Sequence, residues 1–307
     1  MTTTPNIAVI IPCYNEGKTI GQVVQEFRQV LPQANMYVYD NNSTDNTSET
    51  ARAAGATVRT ETLQGKGHVV RRMFADIDAD IYVMIDGDAT YDCKSAPGLI
   101  KLLQEGPYDM VNASRNSHSK SAYRFGHTFG NKLLTRIVRL IFGKRLNDML
   151  SGFRVFSKRF VKSFPCESNG FEIETELTIH ALSLKMPITE IPTPYYARPE
   201  GSFSKLSTYK DGFRILRMIF NLVRKERPLL FFNTFALIFF LLSLTIGLPL
   251  FFTFWKTGLV PRFPSAILAT GIMLLAFLSL MCGLILDTVT RGRQEAKQLA
   301  YLKFPAP

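Results

Sequence analysis

Three aspartates crowd the stretch "YVMIDGDATYD" at positions 82–92: Asp86, Asp88 and Asp92. Like charges this close repel, so the cluster is either a solvated Asp-Gly turn or a place where something positive sits. Asp86 and Asp88 flank Gly87 directly after an apolar run. Carboxylates at that spacing can share a hard divalent cation, Mg2+ or Mn2+, which cancels their repulsion and keeps positions open for substrate phosphates. Gly87 leaves room for close approach. Asp92 lies beyond the pair and receives no metal.

The elements around the pair read as α/β. "NIAVIIP" reads as a buried strand, "MYVYD" and "DIYVMID" as further strands, and "ATVRT" as a short third strand between them. Between them, "KTIGQVVQEFRQVL", "STDNTSETARAAG" and "GKGHVVRRMFADID" carry helical spacing or helix stop signals. Strands alternating with helices predict a Rossmann-like, mostly parallel sheet with helices on both faces. Ligands of such sheets bind at the carboxyl ends of the strands. The polar clusters "CYNE", "DNNSTD" and "DGDATYD" fall at those ends and should converge on one cleft.

The chain of 307 residues carries a formal net charge of +11, which suggests an anionic partner. A GxGxxG dinucleotide fingerprint and a Walker A loop are absent after the first strand, and no helix-turn-helix or RNA-binding signature occurs. The basic charge is therefore assigned to membrane and phosphates, not to nucleic acid. Cys13, Cys93, Cys166 and Cys282 are scattered without a CxxC pair, so neither a zinc site nor a disulfide framework is expected. The opening "MTTTPNIAVIIPCYNE" has neither the basic n-region nor the apolar core of a signal peptide.

From position 229 the composition changes. Residues 229–254 contain no charge, and 266–286 form a second apolar run; each reaches the roughly 20 residues that a bilayer core requires. The short "WKTGLVPRFPS" between them predicts a two-helix transmembrane hairpin; the alternative is a pair of buried core helices. Arg214, Arg217, Arg224, Lys225 and Arg227 precede the first span, and Arg291, Arg293 and Lys297 follow the second. The positive-inside rule then puts both termini and the N-terminal domain in the cytoplasm. Two basic amphipathic segments, 131–143 with Lys132, Arg136 and Arg139, and 209–227, have the pattern of helices in a lipid interface. The division expected is a catalytic domain at 1–205, a juxtamembrane helix at 206–228, two spans within 229–290 and a cytoplasmic tail at 291–307.

At this point the chain resembles the family-2 glycosyltransferases of the GT-A fold. The matching segments are "IPCYNE" at 11–16, "YDNNSTDNT" at 39–47, "GKGHVVRRMF" at 65–74 and "DGD" at 86–88. "NASR" at 112–115, "DMLSGFRVFS" at 148–157 and "GSFSKLS" at 201–207 continue it. The subgroup it is most similar to is the polyprenyl-phosphate glycosyltransferases, including dolichyl-phosphate mannose synthases and bacterial two-span undecaprenyl-phosphate glucosyltransferases. The resemblance implies a metal-dependent hexosyltransferase of the bacterial inner membrane that serves cell-envelope glycans such as lipopolysaccharide, with a nucleotide sugar and a lipid phosphate as partners. A homo-oligomer through the hairpin is a further expectation.

The resemblance also assigns residues. Pro12, Tyr14 and Glu16 would line the nucleotide pocket, Asp40 would hydrogen-bond the base and Asp45 would support that loop. Asn41 stands where the family usually has a second acid. Lys66 would lie near the nucleotide, Asp86 and Gly87 near the ribose or sugar, and Asp88 would hold the metal. Thr90 replaces a glutamine common in relatives. Arg115, Ser151, Arg154 and Lys205 would receive the acceptor phosphate, whose oxygens suit arginine forks. Glu172, Glu174 and Glu176 share a helix start, where the dipole stabilises acids anyway.

A phosphate monoester has a second pKa of about 6 and is already anionic at neutral pH, so no strong general base is needed. Asp148 is the candidate if one is used, or it orients the acceptor. The expected outcome is inversion, from a UDP-hexose or UDP-N-acetylhexosamine, with GDP-mannose as the alternative donor. A processive polysaccharide synthase would need a QxxRW motif, and the sole tryptophan, Trp255, lies in the hairpin loop. A catalytically dead scaffold is opposed by the intact DGD and SGFR segments.

Overall fold

A computed structural model describes residues 5–116, 136, 147–170, 172–198, 217, 220–221 and 223–306. Lys205, segment 131–143 apart from Arg136, and most of the juxtamembrane segment 206–228 lie outside the described residues. The chain divides into two compact units, one of residues 1–215 with 296–307, the other of 216–295.

The first unit is built on strands β1 (Ile7–Cys13), β2 (Asn35–Asp40), β3 (Thr57–Thr60), β4 (Ile81–Met84), β5 (Met110–Asn116), β6 (Arg154–Ser157) and β7 (Ile188–Pro194). Their order in the sheet is β3-β2-β1-β4-β6-β5-β7. The β1–β2, β1–β4, β2–β3 and β5–β7 pairings are parallel, whereas β6 runs antiparallel to both of its neighbours. Helices α1 (Ile20–Val30), α2 (Thr47–Ala53), α3 (Lys66–Asp76), α4 (Ala96–Glu105), α5 (Lys158–Ser163) and α6 (Ile173–Ser183) cover it.

Every residue of β1 is buried, as a strand covered on both faces requires. Its alternation sorts the core. Val9 and Ile11 pack with Val23, Val24 and Phe27 of α1 and Leu99 of α4, while Ala8 and Ile10 pack with Val69, Val70 and Met73 of α3 and Leu177 of α6. The expected helices on both faces are therefore present, and the sheet is mixed.

Within the second layer, His180 on α6 is buried among Phe160 and Phe164, with Nε2 3.0 Å from Ser163 Oγ. Burial, and then the charge of Lys297, pushes its pKa down to about 3. The unfolded chain takes up this proton near pH 6.5 and the folded chain does not, so acid stabilises the unfolded state. Stability should fall as pH drops from about 6.5 towards about 3. The slope of unfolding temperature against pH across that window should be shallower in His180→Gln than in wild type.

The C-terminal residues 296–306 belong to this same unit. Asp109 at the start of β5, fully buried, accepts hydrogen bonds from Ser157 Oγ (2.7 Å), Arg159 Nε (2.5 Å) and Nη2 (2.9 Å), and Tyr301 OH (2.8 Å). The Tyr301 ring lies 4.7 Å from the Arg159 guanidinium. Tyr301→Phe removes a donor from a buried charge, at a cost of about 1–3 kcal/mol. A lower unfolding temperature is the expected result, with the carboxyl ends of the parallel strands left undisturbed, because Asp109 sits at their amino-terminal edge.

The second unit contains α7 (Pro228–Thr257) and most of α8 (Phe263–Leu302), the two helices long and apolar enough to cross a membrane. Ser243 Oγ donates to the Ala269 carbonyl at 2.8 Å, and Gly283 lies against Leu229 and Phe232. The buried residues of α8, Ala269, Ala276, Gly283 and Thr290, recur at heptad spacing as a small-residue seam. Leu237, Phe252, Phe277 and Leu278 stand exposed. That apolar outer surface opposes the buried-core alternative and fits a lipid-facing hairpin. α8 continues unbroken to Leu302, through much of the segment expected as a tail at 291–307.

Candidate active site

The parallel arrangement of β1, β2 and β4 puts "CYNE", "DNNSTD" and "DGD" at one edge of the sheet, as their positions after the strands predict. Because β6 is antiparallel, the segment entering it, 148–153, arrives at the same edge. Arg115 near the end of β5 and Arg198 beyond β7 complete the group.

The rim loops are stitched together by their own polar side chains. Asn15 N donates to Ser43 Oγ (2.8 Å), Thr44 N to Asn15 Oδ1 (2.8 Å), Glu16 N to Thr47 Oγ1 (2.9 Å) and Gly17 N to Asp45 Oδ2 (3.0 Å). Asn15, Asn42 and Ala89, one in each loop after β1, β2 and β4, have positive φ of 51°, 63° and 55°. Asparagine tolerates the left-handed region, but alanine does so at a cost, so the turn after Asp88 stores local strain.

The residues expected around the nucleotide are distributed as follows. Pro12 is buried in β1, and Tyr14 and Glu16 are half-buried just after it. Asp40 accepts from Ser43 N (3.1 Å) and Ser48 Oγ (2.8 Å). Asn41 donates to the carbonyls of Glu61 (2.9 Å) and Leu63 (2.8 Å) and accepts from Gly65 N (2.7 Å), so an amide here ties the β2 loop to the glycine turn before α3. That work needs both a donor and an acceptor, which an acid lacks. Burial raises the Asp45 pKa, but hydrogen bonds from Thr47 and Gly17 outweigh it and hold the carboxyl below its ordinary value.

Lys66 opens α3 and is the hub of the site. Its Nζ donates to Asp86 Oδ1 and to Glu174 Oε1, each at 2.5 Å. Burial opposes the ammonium charge, but the two carboxylates more than offset this and hold its pKa above the ordinary lysine value. Gly152 lies against the far side of Asp86: a Cβ added there would fall 2.2 Å from Asp86 Oδ2. The backbone N–H of Gly152 donates to Tyr91 OH at 2.7 Å. Gly87 has a similar constraint, since a Cβ would lie 2.5 Å from Glu16 Oε2 and 2.6 Å from Cys13 Sγ. Its carbonyl accepts from Thr19 Oγ1 at 2.7 Å, fixing the DGD turn to the start of α1.

Asp88 is buried. Its Oδ1 accepts from Thr90 Oγ1 (2.6 Å) and Thr90 N (3.2 Å), and its Oδ2 is 2.7 Å from Arg198 Nη2. Burial and then the nearby Asp86 charge push the Asp88 carboxyl above its ordinary value, against the pull of Arg198 and Thr90. This carboxylate is held where an anion requires a cation. Asp86 and Asp88 supply hard oxygen donors and fit Mg2+ or Mn2+. Among the described residues no group of three or more His, Cys, Asp or Glu could hold a metal. The remaining ligands of an ion here would have to come from substrate and water.

On the acceptor side the structure corrects several expectations. Arg154 is completely buried, with Nε on the Ser151 carbonyl (3.0 Å), Nη1 on Thr178 Oγ1 (2.9 Å) and Nη2 on the Met149 carbonyl (2.5 Å). Ser151, also completely buried, donates to the Ala113 carbonyl at 2.5 Å. Both brace the 148–153 segment from within and have no surface to offer a phosphate. Arg115 Nε and Nη2 each lie 2.7 Å from Asp148, whose carboxylate receives the whole fork. Burial raises the Asp148 pKa, but the Arg115 hydrogen bonds and charge reverse this and hold it below the usual carboxylate range. Asp148 is thus a poor proton acceptor; it orients Arg115, whose guanidinium lies 5.6 Å from the Tyr195 ring.

Of the three acids at the start of α6, Glu172 precedes the helix, Glu174 pairs with Lys66, and Glu176 accepts from the N–H groups of Glu167 (2.7 Å) and Ser168 (2.8 Å). The sequence reading missed Arg198 and left Glu174 unassigned. Both meet their partners across long stretches of chain, so no local spacing could have revealed them. The density of basic and small residues around "ARPEGSFSK" was the available signal for Arg198.

Residues 8–164 match the family described as Glycosyl transferase family 2. Glycosyltransferase AglJ of Haloferax volcanii is 31% identical over 307 residues, covering 99% of this chain and 100% of that protein. A dolichyl-phosphate hexose transferase of the same organism is 27% identical over 225 residues, covering 73% of this chain and 97% of that protein. Among solved structures, glucosyl-3-phosphoglycerate synthase from Mycobacterium tuberculosis, in complex with Mn2+, UDP and glucosyl-3-phosphoglycerate, superposes with a TM-score of 0.59. It is 24% identical and covers 71% of this chain and 79% of its own.

Proposed function

Because the chain belongs to glycosyl transferase family 2, we propose that it transfers a hexose or N-acetylhexosamine from a UDP-sugar to a polyprenyl phosphate, with inversion. The observation that carries the choice of acceptor is the union, in one polypeptide, of this sugar-transfer fold with two apolar helices of 30 and 40 residues. The hairpin anchors the enzyme to the bilayer that holds a lipid acceptor, with the basic flanks on the cytoplasmic side. The name of the dolichyl-phosphate relative agrees with an acceptor of this class.

In this reading Asp88, supported by Asp86, would hold a divalent ion, whose charge would offset that of the leaving diphosphate. Lys66 fixes the rotamer of Asp86, and Gly152 makes room for it. Pro12, Tyr14, Glu16 and the Asp40–Asp45 loop form the nucleotide side. Arg115, held by Asp148, stands on the acceptor side, where a phosphate dianion would compete for its fork; Arg198, paired with Asp88, stands where the diphosphate would lie. The acceptor phosphate is already ionised, so alignment behind the anomeric carbon does the work a base would otherwise do.

The test is a donor screen. Membranes carrying the protein are given undecaprenyl phosphate, Mn2+ and radiolabelled nucleotide sugars, and the lipid phase is counted. Label should enter lipid from a UDP-sugar and disappear with a chelator. Label from GDP-mannose alone would reassign the donor, and absence of lipid product from every donor would overturn the proposal.

A further inference from the structure

Asp88 and Arg198 differ in one respect that bears on how the site is loaded. The Asp88 side chain is 4% exposed, whereas that of Arg198 is 35% exposed. A buried anion is thus covered from outside by a long, rotatable cation. The backbone delivers that cation to a fixed place. Tyr195 bridges to Tyr91, the two rings are 5.1 Å apart, and Tyr196 N donates to the Thr90 carbonyl at 2.8 Å. The base of the arm is therefore clamped to the turn that carries Asp88. With Thr90 on Oδ1, the guanidinium takes Oδ2.

We propose that Arg198 is the resident counter-cation of Asp88 and competes with the divalent ion for it, so that metal binds well only when a nucleotide diphosphate arrives with it. Two cations on one carboxylate oxygen repel, so an ion entering alone must evict the guanidinium from a buried partner. A diphosphate changes the balance, because its oxygens ligate the ion and also offer Arg198 a new anionic partner. Arg198 then adds to the positive coupling of metal and nucleotide that direct ligation gives, and each tightens the other by the same factor. This inference rests on the reading of Asp88 as the metal ligand.

The test measures Mn2+ binding directly, by the loss of the free-ion electron paramagnetic resonance signal, on the detergent-solubilised full chain. Without nucleotide, Arg198→Gln should bind Mn2+ more tightly than wild type, on the order of tenfold. Arg198→Lys, which keeps the charge, should stay near wild type. UDP should tighten Mn2+ binding in wild type, and by a smaller factor in Arg198→Gln. A second measurement needs no variant: Mn2+ alone should increase phenylglyoxal labelling of Arg198 in wild type, read by mass spectrometry. Mn2+ affinity that is unchanged or weaker in folded Arg198→Gln, or labelling indifferent to Mn2+, overturns the inference alone. Absence of Mn2+ binding from every form, with or without UDP, overturns the metal reading and the inference with it.

Discussion

Asp88→Asn should lower sugar transfer by on the order of a thousandfold while leaving the chain folded. The substitution keeps the shape of the side chain and an oxygen that Thr90 can reach, but removes the charge that holds either Arg198 or a divalent ion. The Thr90 bonds of 2.6 and 3.2 Å are to Oδ1. An amide placed with its oxygen there preserves the turn and presents its NH2 group to Arg198. The guanidinium then loses this acceptor. Asp92→Asn is the matched control from the same stretch. Asp92 Oδ1 accepts from Lys94 N (3.3 Å) and Oδ2 from Ser95 Oγ (2.9 Å), so it caps a short helical turn. Its loss should cost at most about 1 kcal/mol of stability and leave transfer near wild type. Equal activity losses from the two substitutions would sink the assignment of Asp88 over Asp92.

The second large effect is expected from Lys66→Met, through stability as well as activity. Lys66 is the shared cation of Asp86 and Glu174. Methionine keeps the length of the stem but leaves two carboxylates facing each other, one of them with a side chain only 7% exposed. Breaking a buried pair in this way costs about 3–5 kcal/mol, because the stranded charge remains. A clear drop in unfolding temperature should therefore accompany the loss of transfer. Lys66→Met combined with Glu174→Gln removes one stranded charge and should recover much of the stability, yet not the transfer, since Asp86 still lacks its support. An additive double variant would show that the two side chains do not interact. The pH dependence has a definite sign. The folded-state pKa of Lys66 lies above its ordinary value, so its contribution is complete below about 10.4. It is lost only as pH rises through the raised value, and the acid side owes nothing to it.

How much of this was written in the sequence depends on the range of the interaction. Strand–helix alternation up to β4 follows from local periodicity, except at the exposed edge strand β3, because a strand buried on both faces must be apolar throughout and a covering helix must be apolar at every third or fourth position. The DGD pair was visible for the same reason: neighbours in sequence at the end of a strand are neighbours in space. The two membrane-length helices needed only an uncharged run. Beyond β4 the local signals thin out. "RVFS" is a four-residue strand whose direction cannot be read from its composition, yet its antiparallel insertion between β4 and β5 brings Gly152 to Asp86 and Asp148 to Arg115.

The same distinction separates the site residues. Arg154 and Ser151 looked like phosphate ligands because an arginine and a serine beside a glycine suit that chemistry. Only packing shows that the strand register turns both inward, where their polar atoms are consumed by carbonyls and Thr178. Sequence alone determined the family, the sheet-edge carboxylates and the apolar hairpin, since each is encoded in contiguous residues. The tertiary structure alone decided which cation faces which carboxylate: Lys66 on Asp86 and Glu174, Arg115 on Asp148, Arg198 on Asp88. Ion pairs form between side chains brought together by register and crossover, and a residue carries no local mark of a partner far along the chain.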